Sequence, residues 1–308
     1  MTTTDPFDYR VGWRPDQRRQ GEHLASVSGD GGAYRGNRLL REAGDARHLS
    51  LRATLRDPFN QLWVRDFLHS ATLDLWVLAD LSLSMRLTDS PGAVSPHRSV
   101  AGLIRSAAHS ARSLGDRLGV FCGASQAMPA FCTPASRHLA PSISVADRIE
   151  ALAGSPDART APGQSSASAA GLFEAAARFG PRPSLVFLVS DFSDPALDWS
   201  ALLRQLSHHQ VVPVVTWALP AVLMRDQSGL VSIRDAESGT KRVLWVRRQL
   251  REKIGHRLDQ HFDKLNTLFR EHGRRPVHLF GGFQAAAMTH YFHGGDHRDG
   301  RPGSWLKK

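Results

Sequence analysis

Short apolar runs of strand length alternate with segments of helical periodicity along the middle of the chain. Leu73 to Ala79, LDLWVLA, stops abruptly at Asp80, as a buried parallel strand does at its carboxyl edge. Leu118 to Cys122, Leu185 to Ser190 and Val211 to Trp217 have the same character, the last written almost wholly in β-branched residues. Between them the pattern predicts helices over Val94 to Leu114, Ile143 to Ala153, Ser168 to Phe179 and Leu197 to Ser207, with a partner strand near Ala130 to Cys132. Strands alternating with helices of this length predict an α/β fold, a doubly wound and mainly parallel Rossmann-type sheet with right-handed crossovers.

The flanks carry weaker signals. Gly229 to Arg234 and Arg242 to Val246 flank DAESGT, which predicts a hairpin. Leu250, Ile254, Leu258, Phe262, Leu265 and Phe269 recur at spacings of three and four, marking one amphipathic helix that Gly273 terminates, and Val277 to Phe280 returns as the last strand. Residues 1–70, with glycines at 29, 31, 32 and 36, read as an irregular N-terminal arm. Its regular pieces are a helix or turn near Leu39 to Glu42 and a strand, Gln61 to Phe67, with Leu62, Val64 and Phe67 towards a core. The expected organisation is an arm over 1–70, the α/β body over 71–292 and a flexible basic tail over 293–308.

Composition narrows the class. A chain of 308 residues with 41% hydrophobic and 22% charged side chains can build a core without disulfide staples. The longest uncharged apolar run, Val211 to Met224, has 14 residues and two prolines, short of the roughly 20 that span a bilayer. The N-terminus has neither a basic nor an apolar signal region, so the expected location is cytoplasmic. Cys122 and Cys132 have no C-x-x-C spacing and are expected to be buried or half-buried thiols. The net charge of +10 is uneven: residues 1–70 carry 11 basic and 9 acidic groups, 71–224 carry 11 and 11, and 225–308 carry 17 and 9. A neutral body with a basic C-terminal third argues against a chain that coats nucleic acid and predicts an acidic face on a partner.

Ligands of open parallel sheets sit beyond the carboxyl ends of the strands, so the residues after each apolar run matter most. Asp80 opens Asp80-Leu81-Ser82-Leu83-Ser84, and Asp191 opens Asp191-Phe192-Ser193-Asp194. One carboxylate with two hydroxyls is a hard all-oxygen set that suits Mg²⁺ or Mn²⁺. The bland alternative is equally open on this loop alone: the serines cap the next helix and Asp80 ends a strand. His290, His293 and His297 lack an accompanying Cys or Glu pattern, and no phosphate-binding glycine loop, G-x-S-x-G or H-E-x-x-H occurs.

Asp80-x-Ser82-x-Ser84 together with Asp191 resembles the metal-ion-dependent adhesion site of von Willebrand factor type A domains. More closely, the chain is similar to the DUF58 family of A-domain-like proteins that accompany MoxR-type AAA+ ATPases. The resemblance extends to Gly44-Asp45-Ala46-Arg47-His48-Leu49, Arg52-Ala53-Thr54, Leu62-Trp63-Val64-Arg65-Asp66-Phe67 and Val189-Ser190-Asp191-Phe192-Ser193-Asp194-Pro195, within a span from Gly21 to Phe292. The chain departs from the family pattern with Ser50-Leu51 in place of Asp-Trp, and with Gly163-Gln164-Ser165-Ser166 in place of Gly-Gly-Thr. The resemblance implies a von Willebrand factor A-like fold and a weak metal site formed by Asp80, Ser82, Ser84, Ser165 (or Ser166) and Asp191.

It also implies a role. A cation held by serine hydroxyls and one or two carboxylates is under-neutralised and keeps an open position, which a partner's acidic residue completes. The expected protein is a non-enzymatic adaptor working with a MoxR-type AAA+ ATPase on maturation or assembly of a client protein complex, methanol dehydrogenase being one candidate. The alternative is an Mg²⁺-dependent phosphoryl-transfer or phosphodiester-hydrolysing enzyme using Asp80 and Asp191.

Overall fold

A computed structural model describes residues 5–12, 23–43, 46–82, 84–86, 94–123, 131–153, 167–194, 197–217, 229–234 and 241–294. The elements are β1 (His23–Leu39), α1 (Leu40–Ala43), α2 (Leu51–Arg56), β2 (Trp63–Ala71), β3 (Asp74–Ala79), α3 (Pro96–Leu114), β4 (Arg117–Cys122), β5 (Phe131–Ser136), α4 (Ala140–Ala153) and α5 (Ala167–Ala177). They continue as β6 (Leu185–Ser190), α6 (Trp199–Gln205), β7 (Gln210–Trp217), β8 (Gly229–Arg234), β9 (Lys241–Val246), α7 (Arg248–Glu271), β10 (Val277–Phe280) and α8 (Ala285–Phe292).

The body is a six-stranded sheet in the order β10-β7-β6-β3-β4-β5. Every pairing is parallel except β4 with β5, which is antiparallel. The expected α/β, doubly wound and mainly parallel sheet is present. From β3 the chain first builds outwards through β4 and β5, then returns to place β6 on the other side of β3. The strand order therefore reverses between β3 and β6, where such sheets open a ligand-binding crevice.

Two apolar layers sandwich the sheet, because alternate strand residues face opposite sides. Leu75 and Val77 of β3 join Leu103 and Ile104 of α3, Ile149 of α4 and Met288 of α8 on one face. Leu78 joins Leu172 of α5, Leu202 of α6 and Phe269 of α7 on the other. β6 is buried at all six positions, so its continuous LVFLVS pattern reflects cover on both sides. Ser95 caps α3 by accepting from the Arg98 N–H at 3.3 Å, Pro96 occupies its first turn, and Gly115 at φ 70° ends it.

The N-terminal region is more ordered in its pairing than its glycines predict. β1 pairs antiparallel with β2, but its register shifts between Leu24 and Ser28, Gly29 and Tyr34, and Tyr34 and Gly36. Glycine and polar residues weaken a strand's own propensity, and the backbone ladder with β2 supplies what they lack. In the predicted Gln61 to Phe67 strand Val64 is buried, whereas Leu62 precedes the ladder and is exposed. Phe7 and Tyr9, assigned from sequence to the arm, are buried in the body's core. Phe7 meets Phe187 edge-on at 5.6 Å, its N–H donates to Ser110 Oγ at 2.8 Å, and the Tyr9 hydroxyl donates to Asp116. Burial, then the Asp116 charge, pushes the Tyr9 phenol above its ordinary pKa. A three-residue alternation is too short to announce a buried element, which is why the sequence did not reveal it.

Smaller differences follow from local chemistry. α6 begins at Trp199 because the Asp198 carboxylate accepts from the Ala201 N–H at 3.0 Å. β5 extends to Ser136 through Pro134, tolerated on an edge strand. Cys122 is buried, its thiol pushed up by burial and then by Cys132, but Cys132 is exposed because β5 alternates inward and outward. The β8–β9 hairpin forms as expected. Its turn lies outside the described residues, as does the tail beyond Gly294.

Gly119 in β4 faces Trp76 in β3, where an added Cβ would lie 2.5 Å from the indole ring. Gly119→Ala is expected to destabilise the fold by about 1–3 kcal/mol through overpacking. Urea denaturation checks this, and Trp76→Leu in the same chain should recover much of the loss.

Candidate functional site

Asp80 immediately follows β3, and its N–H donates to the Val189 carbonyl of β6 at 2.8 Å. This bond extends the β3–β6 ladder by one residue and puts Asp80 at the switch point. Only 2% of the residue is exposed. Its Oδ1 accepts from the Ser82 N–H at 2.8 Å, and its Oδ2 accepts from Ser82 Oγ at 3.2 Å and from Ser190 Oγ at 3.1 Å. Ser82 Oγ also lies 2.9 Å from Ser84 Oγ. Asp80 is therefore a buried, bonded carboxylate rather than a group on an exposed loop. Buried charge needs such partners, since an unsatisfied carboxylate would cost several kcal/mol.

Ser84 begins a 3₁₀ turn, Ser84–Arg86, that is pinned from below. Met85 is fully buried, and its sulfur accepts from the Thr216 hydroxyl of β7 at 3.1 Å. The hydrophobic anchor fixes the serine beside it.

Asp191 follows β6 on the adjacent loop, at the same sheet edge as Asp80. Its Oδ1 accepts from the Ser193 N–H at 3.1 Å and its Oδ2 from Ser193 Oγ at 2.8 Å. That turn requires Phe192 at φ 53°, the left-handed region that a bulky residue seldom occupies. Packing holds it there: the buried Phe192 ring meets Trp199 at 4.7 Å and Phe269 at 5.0 Å. His261 of α7 places Nε2 3.4 Å from the Asp191 carbonyl.

Asp80, Ser82 and Ser84 thus make one bonded cluster, whereas the Asp191 carboxylate is held by its own serine on the neighbouring loop. Ser165 and Ser166 lie outside the described residues. Sequence reasoning missed Ser190, which is fully buried and donates to Asp80 while accepting from the Phe192 N–H at 3.0 Å. Its signal was a lone hydroxyl ending an otherwise apolar strand, but its partner depended on which strand lies next to β6.

The donor set fits a small hard cation. Mg²⁺ binds oxygens at about 2.1 Å in an octahedron, whose neighbouring oxygens are then about 3 Å apart. The Ser82–Ser84 and Ser82–Asp80 oxygens, 2.9 and 3.2 Å apart, are hydrogen-bonded to each other, so a cation there would take the place of those hydroxyl protons. Among the described residues no three His, Cys, Asp or Glu side chains come together as a metal-binding group, so the cluster offers one carboxylate with neutral hydroxyls.

Strand order and an acid–hydroxyl loop at the switch point define a Rossmann-type α/β protein with its candidate site at the carboxyl edge. A family model described as "Protein of unknown function DUF58" matches residues 41–263, well over half of the chain, and the chain belongs to that family. No curated protein matches it. Among solved structures it is similar to the conserved hypothetical protein BatB of Bacteroides thetaiotaomicron, at 13% identity and a TM-score of 0.41, covering 77% of this chain and 100% of that one. It is also similar to an aerotolerance-related membrane protein of Bacteroides fragilis carrying multiple mutations to serines, at 15% identity and a TM-score of 0.42, with coverages of 72% and 97%. At these scores the fold assignment rests on strand order and register. Among the described residues no helix is long and apolar enough to cross a membrane.

Ser190→Ala removes the buried hydroxyl that accepts from the Phe192 N–H and donates to Asp80 Oδ2. The expected loss is about 1–3 kcal/mol, read as a lower urea midpoint at unchanged m-value.

Proposed function

We propose that the chain is a non-enzymatic binding module that holds Mg²⁺ or Mn²⁺ at Asp80, Ser82 and Ser84, and that a partner's carboxylate completes the coordination. The observation that carries this reading is the buried Asp80 carboxylate at the switch point with the hydroxyls of Ser82 and Ser84 gathered beside it. Asp191 and Ser165 or Ser166 are the further oxygen donors in this reading. One buried carboxylate with neutral hydroxyls leaves a divalent cation net positive, so a partner's acid gains a strong and directional contact.

The resemblance to A-domain-like proteins supplies the partner: a MoxR-type AAA+ ATPase, with which the module acts on the maturation or assembly of a client complex such as methanol dehydrogenase. Exposed Arg247, Arg248, Lys253 and Arg257 around the start of α7 favour an acidic partner face. Phosphoryl transfer has less support. The first loop offers serines where another aspartate would serve.

Asp80→Asn tests the reading with little change of shape. Capture of a MoxR-type ATPase should fall about tenfold or more on adding EDTA. The variant should show the same loss, and EDTA should add nothing to it, because both act on one metal bridge. Undiminished, EDTA-insensitive capture by folded Asp80→Asn would remove the metal bridge.

A further inference from the structure

A second concave site lies at the opposite edge of the sheet, before β7 and β10. Ser207, His208 and His209, in the turn after α6, meet Arg274 and Arg275 before β10 and Tyr291 of α8 around a cavity of about 400 Å³. Among the described residues the lining holds two arginines and two histidines and no acidic side chain.

The arginines are positioned by neutral groups. Arg274 donates to the His209 carbonyl at 2.8 Å and to the Ser207 carbonyl at 3.5 Å. The Arg275 guanidinium lies 5.4 Å from the centre of the Tyr291 ring. Both arrangements orient a guanidinium without cancelling its charge. The ends of α6 and α7 contribute only about half a negative charge each, less than two full guanidinium charges.

The histidine adds an independent sign. His209 is 5% exposed, and its Nδ1 is buried with no hydrogen-bond partner among the described residues. Burial, then His208 and Arg274, holds its imidazole below the ordinary pKa. Burial raises the Tyr291 phenol, while Arg275 and Arg274 pull it down. The cavity therefore concentrates positive charge that the described chain leaves unneutralised.

We propose that this cavity binds a phosphate monoester, its phosphate against Arg274 and Arg275 and its organic part in the remaining volume. Guanidinium forks match phosphate oxygens, and a dianion balances two arginines better than a carboxylate does. A volume of about 400 Å³ lies within the small-molecule range of roughly 300–1,000 Å³ and exceeds what a bare oxyanion fills. This site is independent of the Asp80 cluster.

Calorimetric titration of the whole chain with inorganic phosphate and with phenyl phosphate, at constant ionic strength, tests it. Both probes should saturate one site, phenyl phosphate the more tightly. Arg275→Gln, at an exposed position, should keep the melting temperature and weaken binding about tenfold or more; Arg274→Gln should do likewise if it folds. Asp80→Asn should bind both probes as wild type does, which separates this site from the metal reading. Failure of either probe to saturate, saturation by phosphate without phenyl phosphate, or unchanged affinity in folded Arg275→Gln would overturn the proposal.

Discussion

The junction of β3 with β6 is the constraint on which the rest depends. There the Asp80 N–H closes the ladder onto Val189, while its carboxylate takes the hydroxyl of Ser190 from the same neighbouring strand. A charge that is 2% exposed persists only if its acceptors are filled, and Ser82 of its own loop and Ser190 at the end of β6 fill them. The pairing that reverses the sheet's order thus also builds the candidate site. A different neighbour for β3 would take the Ser190 hydroxyl away from the buried carboxylate.

Packing on either side keeps this polar junction in place. Met85 anchors the Asp80 loop against β7, and Phe192 anchors the Asp191 loop beneath α6 and α7. The first loop needs no unusual backbone at its described anchor, whereas the second holds a phenylalanine in the left-handed region. Such a conformation costs of order 1–3 kcal/mol and persists where surrounding contacts over-determine it. His261 on α7 touches the same loop, so the long amphipathic helix is coupled to the site edge as well as to the core.

The two edges of the sheet carry opposite chemistry. At the carboxyl edge, carboxylates and hydroxyls collect; at the amino edge, Arg274, Arg275 and two histidines line a cavity with no acid among the described residues. Net charge of the whole chain hides this division, because the excess of basic residues in the C-terminal third says nothing about where loops meet. The segregation arises from the fold, which brings Arg274 to the His209 carbonyl across 65 residues of sequence.

Sequence alone determined the elements that local periodicity specifies. LDLWVLA, LVFLVS and the β-branched run of β7 are buried strands because apolar runs of that length must be covered on both faces, and the stripe from Leu250 to Phe269 is a helix because its spacing makes one apolar face. Asp80 and Asp191 were legible as strand-end acids for the same reason. Pairing was decided by the tertiary structure: β3 beside β6, Ser190 on Asp80, Ser193 on Asp191, and β1 held by β2 despite its glycines. Phe7 and Tyr9 entered the core through contacts with residues more than 100 positions away. Periodicity records how a segment meets its immediate surroundings, whereas the choice of partner depends on the burial and hydrogen bonding of the whole assembled sheet.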